Sequence, residues 1–369
     1  LIKMELRYGI VGLPNVGKST LFNALTATQS ANVGNYPFCT IEPNIGIVAV
    51  PDHRLQKLAG IAGSQSIIPT YVKFVDIAGL VKGASSGEGL GNKFLSHIRE
   101  VDAIIHVLRC FDISDITHVY GSIDPVRDAE IIELELILAD LESIEKRLPA
   151  LEKKSRGGDQ KAKEEIELLY HAQQILRNDQ PVRKLPLYRE KSQKFDRLHL
   201  LTTKPVIYVC NVLEHEAVSG NALCKAVQES DILGQSDMII ISSSIESEIA
   251  SLSTLEEKKD YLNIWGLQET GLNKIIKSCY RLFDLNSYFT VGPKEARAWT
   301  IVKGTLAPQA AGIIHTDFER GFIKAEVISY EDYIKYNGES KAKEHGRLRI
   351  EGKDYVVQDG DIIHFRFNV

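Results

Sequence analysis

Gly12-Leu13-Pro14-Asn15-Val16-Gly17-Lys18-Ser19 lies between the apolar run Arg7–Val11 and an apolar stretch that begins near Lys18. This reads as strand, turn and helix. The glycines let the backbone curl so that its N–H groups face phosphate oxygens, and the helix N-terminus adds a favourable dipole. Lys18 is placed to reach the β- and γ-phosphates, and the Ser19 hydroxyl to ligate Mg²⁺. Asn15, Val16, Gly17 and Thr20 complete the predicted cradle. A glycine turn without Lys18-Ser19 would carry far less. The full pattern predicts a phosphate-binding loop on an α/β sheet.

Working outward, Ile45–Val50, Tyr71–Asp76, Ala103–Leu108, Pro205–Cys210 and Met238–Ile241 are further strand-like runs separated by helical or loop segments. Apolar strands of this length alternating with helices predict a mainly parallel sheet covered on both faces. Asp76-Ile-Ala-Gly79 ends one of these strands. An acid there is placed to hold Mg²⁺ through its water shell, and Gly79 lets a backbone N–H approach the γ-phosphate. Thr40, in the loop Tyr36-Pro-Phe-Cys-Thr-Ile-Glu-Pro43, is the second hydroxyl candidate for the metal. The glycine-rich Gly83–Gly91 suits a segment that orders over nucleotide, at an entropic cost.

Residues 128–200 differ in character. Leu134, Ile137, Leu141, Ile144, Leu148 and Leu151 repeat at spacings of three and four, and Ala162, Ile166, Leu169, Gln173 and Leu176 echo them after Arg156-Gly-Gly-Asp159. This predicts a helical hairpin, with Pro149 expected to kink its first arm or mark a boundary. Residues 130–145 hold six acids and no bases, whereas 146–163 hold seven bases and two acids, so the tip presents positive charge. A merely solvated helix face would look the same. From about Leu285 the chain changes again, to short strand candidates at Trp299–Val302, Phe322–Ser329, Tyr355–Val357 and Ile362–Phe367 with turn glycines between them.

The net charge of -5 argues against a DNA coat or sequence-specific DNA binding but leaves room for a local basic patch on RNA. No apolar run reaches the roughly 20 residues of a membrane span, and the N-terminus lacks a signal-peptide pattern. Cys39, Cys110, Cys210, Cys224 and Cys279 are dispersed without a CxxC pair, which argues for a reducing compartment and against a disulfide framework or zinc site.

These motifs, in this order, resemble the YchF/Obg-like ATPases, a branch of the translation-factor-like P-loop GTPases. The resemblance spans essentially the whole chain. It includes Gly12–Ser19, Asp76–Ala84, Gly87–Leu95, Ile98–Asp102, Thr300–Gly304, Ala307–Gly312, Ile314–Ile323 and Asp359-Gly-Asp361. It implies a P-loop GTPase-like, mainly parallel sheet, an inserted helical coiled-coil hairpin, and a C-terminal β-grasp domain of the TGS type. The expected boundaries are 1–127 and 201–284 for the two parts of the nucleotide domain, 128–200 for the insert and 285–369 for the last domain. A cytoplasmic, monomeric ATPase that associates with ribosomes, on the large subunit, or with structured RNA is the implied protein.

GTPases of this class read guanine with Asn-Lys-x-Asp. Here Asn211-Val212-Leu213-Glu214 stands after the strand Pro205–Cys210. Val212 removes the lysine that covers the base, and Glu214 is one methylene too long for the guanine fork. Adenine N1 is an acceptor and gives a carboxylate nothing to bind, whereas Asn211 complements the adenine N6/N7 edge. ATP is therefore the expected nucleotide. Ser242 and Ser243 sit where the last base-contacting loop belongs.

The position after Asp76-Ile-Ala-Gly79, often a water-orienting glutamine, is Leu80, so basal turnover is expected to be slow. Asn15 occupies the position that in some related GTPases helps hold a monovalent cation, so potassium stimulation is a hypothesis. His118 matches the histidine proposed in this family to take part in hydrolysis, and an imidazole titrating near pH 6.5 suits that work. Packing is the commoner fate of such a histidine. The rival readings are a GTP-hydrolysing translation-associated factor and a nucleotide-sensing adaptor. A metabolic kinase is disfavoured by the lack of a second-substrate motif.

Overall fold

The computed structural model describes residues 6–27, 44–78 and 90–368. Its strands, in chain order, are β1 (Arg7–Val11), β2 (Ile45–Ala49), β3 (Ser66–Ile68), β4 (Tyr71–Asp76), β5 (Ala103–Arg109) and β6 (Val206–Asn211). There follow β7 (Met238–Ile241), β8 (Leu285–Val291), β9 (Glu295–Val302), β10 (Phe322–Ile328), β11 (Arg349–Glu351) and β12 (Ile362–Phe367). The chain folds as two compact units, one of Leu6–Ile47 with Lys73–Lys274, the other of Val48–Val72 with everything from Ile275 onward.

The first unit is built on the sheet β2-β4-β1-β5-β6-β7. β1 pairs in parallel with β4 and β5, β5 with β6, and β6 with β7. Every residue of β5 and β6 is buried. That explains why these strands read as unbroken apolar runs rather than alternating ones: both of their faces are covered. The helix Lys18–Ala27 buries Leu21, Ala24 and Leu25. With β1 central and parallel to its neighbours, the loop after it opens at the carboxyl ends of the strands, where open α/β sheets hold ligands.

The helices Pro125–Arg156 and Gln160–Leu176 share one apolar core. Ile137, Ile144 and Leu148 of the first meet Leu168, Leu169, Ala172 and Leu176 of the second, with Phe195, Leu198 and Leu200 closing the base. The first helix starts at Pro125, capped by Asp124, and runs through Pro149 without a break. Pro149 lies on the exposed side, so the missing N–H removes one rung, while Leu148 and Leu151 on either side hold the helix to its core.

The second unit carries the sheet β11-β10-β12-β8-β9-β3. Here the structure corrects the expected boundaries. Residues 48–72 belong to this unit, because β3 pairs with β9 through Ser66–Glu295, Ile67–Ala296 and Ile68–Arg297. Leu55, Leu58 and Ala59 of the helix His53–Ala62 enter a core with Phe289, Ala296, Ala298 and Ile328. A three-residue strand whose partner lies more than 200 residues away leaves no periodic trace in the sequence. The expected strand Tyr355–Val357 reduces to a single bridge between Val356 and Leu306. No described helix is long and apolar enough to cross a membrane.

Asp140, inside the helical pair, anchors the chain's return to the sheet. Its buried carboxylate accepts from Leu201 N–H (2.8 Å), Thr202 N–H (2.8 Å) and the Thr202 hydroxyl (2.7 Å). Burial pushes this carboxyl up to about 6 against the pull of those bonds. Asp140→Ala orphans two buried N–H groups and is expected to cost about 2–4 kcal/mol in urea unfolding. Because the folded pKa is raised, the folded state holds the proton longer than the unfolded chain. The group's contribution is therefore present below its unfolded value and is lost as pH rises through about 6. Asp140→Asn should flatten that slope.

Candidate nucleotide-binding site

Backbone geometry at the loop after β1 leaves little freedom in residue choice. A Cβ on Gly12 would stand 2.7 Å from the Val107 carbonyl oxygen and 2.8 Å from a Val16 methyl. Gly17 has φ +91°, and a Cβ there would lie 2.2 Å from Asn211 Nδ2. Asn15 adopts φ +64°, a left-handed conformation that asparagine tolerates. The helix then starts at Lys18 with no acid in its first turn, so its positive dipole end is not neutralised. Ser19 and Thr20 are exposed in that turn.

Asp76 reaches the same place from β4. It pairs in register with Ile10 of β1, so both strands end together, and its carboxylate forms an ion pair with Lys18. The lysine and acid predicted to serve phosphate and metal therefore converge. The Ser19 hydroxyl and the Asp76 carboxylate are hard oxygen donors of the kind Mg²⁺ takes, and such an ion would neutralise phosphate charge when bound. Thr40 and Gly79 lie outside the described residues.

The base-reading segment is brought in by one amide. Asn211, buried at the end of β6, donates from Nδ2 to the Val16 carbonyl (2.9 Å) and accepts at Oδ1 from Ser243 N–H (2.9 Å). It thereby ties the phosphate loop to the N-terminus of the helix Ser243–Ser251. One N–H and one oxygen lone pair of the amide remain. Val212 is buried, with its N–H on the Ile241 carbonyl, while Leu213 and Glu214 are half-buried at the start of a short 3-10 turn. The hydroxyls of Ser242 and Ser243 are buried without a hydrogen-bond partner among the described residues.

Three residues missed in the sequence shape this region. Glu216 Oε2 accepts from Asn221 Nδ2 (2.9 Å) and Leu213 N–H (3.3 Å), holding the 211–214 turn. Arg109, 1% exposed in an otherwise apolar strand, donates to the carbonyls of Phe111 (3.1 Å), Ile116 (2.8 Å) and Thr117 (3.4 Å). Asn15 Nδ2 donates to the same Thr117 carbonyl at 3.2 Å, so the loop after β5 is fastened to the phosphate loop. A cation at the end of a buried strand must be paired, and that was the signal available in the sequence.

The third is Asp128, and it defines what His118 does. His118 Nδ1 accepts from Tyr120 N–H at 3.1 Å, so the proton sits on Nε2, which donates to Asp128 Oδ2 at 2.8 Å. Arg127 holds the other carboxylate oxygen at 2.9 Å. The His118 side chain is 3% exposed. Both ring nitrogens are thus engaged, and in this arrangement the ring does not offer a free nitrogen to a water.

A glycine loop between central strand and helix, with its lysine paired to an acid at the next strand end, defines a P-loop nucleoside triphosphatase. A family model described as 50S ribosome-binding GTPase matches residues 7–136, and the YchF-GTPase_C model, described as a protein of unknown function, matches 285–368. The protein named ribosome-binding ATPase YchF from Bacillus subtilis (strain 168) is 53% identical, with 99% of this chain aligned to 100% of that protein. Its namesake from Haemophilus influenzae is 52% identical, at 99% and 100% coverage. The solved YchF GTPase of Schizosaccharomyces pombe superposes with a TM-score of 0.88 at 40% identity, covering 99% of each chain. The chain belongs to the YchF family of P-loop GTPases and ATPases.

The brace makes a direct prediction. Asn211→Ala removes both bonds and leaves the Ser243 N–H and Val16 carbonyl without their partner. It should weaken nucleotide binding by about 1–3 kcal/mol, roughly 5–150-fold, in a fluorescent-nucleotide titration. Gly17→Ala, which combines strain with the clash against Asn211, should remove binding altogether.

Proposed function

We propose that the chain hydrolyses ATP to ADP and phosphate with Mg²⁺ and uses the cycle as a switch on the ribosome. The observation that carries the nucleotide assignment is the Asn211 brace, which sets Asn211-Val212-Leu213-Glu214 against the phosphate loop. The remaining N–H and lone pair of Asn211 complement adenine N7 and N6, respectively. Guanine would need a short carboxylate for its N1–H and 2-amino group, and a lysine over the base. Glu214 and the buried Val212 supply neither. The names of the bacterial relatives, ribosome-binding ATPases, agree with this reading.

In the proposed mechanism Lys18 leaves Asp76 to hold the β- and γ-phosphates, freeing that carboxylate for the metal shell. Ser19 and Thr40 would supply hydroxyls to the metal, and the Gly79 N–H would meet the γ-phosphate. Asn15 spends its Nδ2 on the Thr117 carbonyl, and its amide oxygen would hold K⁺. His118 enters hydrolysis only by leaving Asp128 or Tyr120. Its part in the reaction thus requires a rearrangement of the 110–120 loop, which Asn15 couples to the phosphate loop. Replacing Val212 with Lys and Glu214 with Asp together should raise GTP affinity relative to ATP by about 1–3 kcal/mol, or roughly 5–150-fold. Unchanged discrimination in competition binding would move the preference elsewhere.

The helical pair is read as an antiparallel coiled-coil arm and the second unit's sheet as a β-grasp module of the TGS type. Lys153, Lys154, Arg156, Lys161 and Lys163 are all exposed near the turn between the two helices, with no acidic partner among the described residues. Arg147 differs: it is held by Glu165 (2.7 Å) and the Leu198 carbonyl (2.7 Å). Flexible unpaired cations at the end of an arm fit phosphate contacts on ribosomal RNA. Neutralising Lys153, Lys154 and Arg156 together should weaken co-sedimentation with ribosomes and reduce its log–log salt slope by about 2–3. ATP affinity should not change. Equal sedimentation of variant and parent across the salt series would assign these residues to solubility alone.

A further inference from the structure

Three of the cysteines that looked scattered in the sequence meet inside the first unit. Cys110 directly follows β5, Cys210 lies on β6, and Cys224 lies in the first turn of the helix Ala222–Glu229. All three are buried, and their sulfurs lie within 4.8 Å of one another. Their spacing in the sequence, without a CxxC pair, carries no sign of this cluster. Cys279, the other described cysteine, has no place in the cluster.

We propose that Cys110, Cys210 and Cys224 form a three-coordinate site for one soft, monovalent d¹⁰ metal ion of the Cu(I) class. Metal–sulfur bonds near 2.3 Å in a trigonal plane set the sulfurs about 4 Å apart, so the trio closes on an ion by under about 1 Å per pair. Thiolate ligands select soft ions. No carboxylate or imidazole joins the trio among the described residues, which disfavours the four-coordinate shell that structural zinc requires. Each thiol that ligates releases its proton to solvent.

The Asn221 side-chain oxygen caps the helix Ala222–Glu229 through Leu223 N–H (3.0 Å) and Cys224 N–H (3.1 Å), so Cys224 sits at its positive end. The turn before this helix lies at the surface of the unit. Val218 and Ser219 are exposed, and Gly220 (φ +71°) brings backbone so close that a Cβ there would stand 3.3 Å from Cys224 Sγ.

The site is joined to the nucleotide segment by short bonds. Cys110 N–H donates to the Asn211 carbonyl (2.9 Å), and the Cys110 carbonyl accepts from Asn221 Nδ2 (2.7 Å). Cys210 precedes Asn211 directly. Drawing the sulfurs together therefore acts on the residue that braces the phosphate loop. By linkage, nucleotide and ion then alter each other's affinity by the same factor.

The test uses the full-length protein, reduced and anaerobic, titrated with Cu(I) against the chelator bicinchoninate and separately with Zn(II) against a zinc chelator. One equivalent of Cu(I) is expected to be retained, with ultraviolet sulfur-to-copper charge transfer and an X-ray absorption spectrum of three sulfur ligands. Cys210→Ser and Cys224→Ser should each lower Cu(I) affinity by at least about 100-fold, more than outer-shell changes cost. Cys39→Ser and Cys279→Ser should leave it unchanged. The wild-type spectrum decides the matter even if a trio variant fails to fold. No retained ion, nitrogen or oxygen ligands to copper, or unaltered affinity in folded trio variants would overturn the site. Preferential retention of Zn(II) with a fourth, oxygen ligand would overturn the three-coordinate monovalent assignment.

Discussion

The nucleotide site depends on a single buried amide. Asn211 joins β6, the phosphate loop and the helix Ser243–Ser251 through two bonds of 2.9 Å. Each bond contributes about 1 kcal/mol net, but leaving its partners unpaired in a dry interior would cost more. The brace also explains Gly17. Asparagine approaches so closely that no side chain fits, and the φ of +91° independently favours glycine. A residue usually read as a base contact thus has a prior structural task.

Around this brace the structure fastens its loops from behind. Arg109 ties the segment after β5 through three carbonyls, and Asn15 shares one of them. His118 is locked by Tyr120 N–H and Asp128 within the same segment. The phosphate loop, the His118 loop and the long helix that contains Asp128 are therefore one bonded system. Changes at the γ-phosphate have a physical route to the base of the helical arm, by bonds that exist in discrete arrangements rather than by continuous deformation. The cysteine trio adjoins Asn211 as well, through the Cys110 N–H on its carbonyl and through Cys210 beside it in β6.

Much of this was legible in the sequence because it is local. The phosphate loop needs only a strand, a glycine turn with Lys18-Ser19 and a helix, all within some twenty consecutive residues. The buried strands announced themselves by unbroken apolarity, and the helical arm by its three-and-four spacing. Asp76 could be placed because strand ends in a parallel sheet fall at one edge. Chain-long motif order identified the family, since no single motif is so specific.

Only the tertiary structure decided the rest, for reasons of distance and direction. The pairing of β3 with β9 joins residues far apart in the chain, and no periodicity encodes it. His118 read as an available imidazole until Asp128 and the Tyr120 N–H were seen to occupy both nitrogens, because a bond partner is a matter of geometry. Cys110, Cys210 and Cys224 lack any spacing motif, yet two adjacent strands and one helix cap bring their sulfurs to within 4.8 Å of one another. Sequence determined the elements and the phosphate chemistry, since both are written in neighbouring residues. The fold decided which distant side chains meet, since contacts between remote residues arise only when the sheet closes around its core.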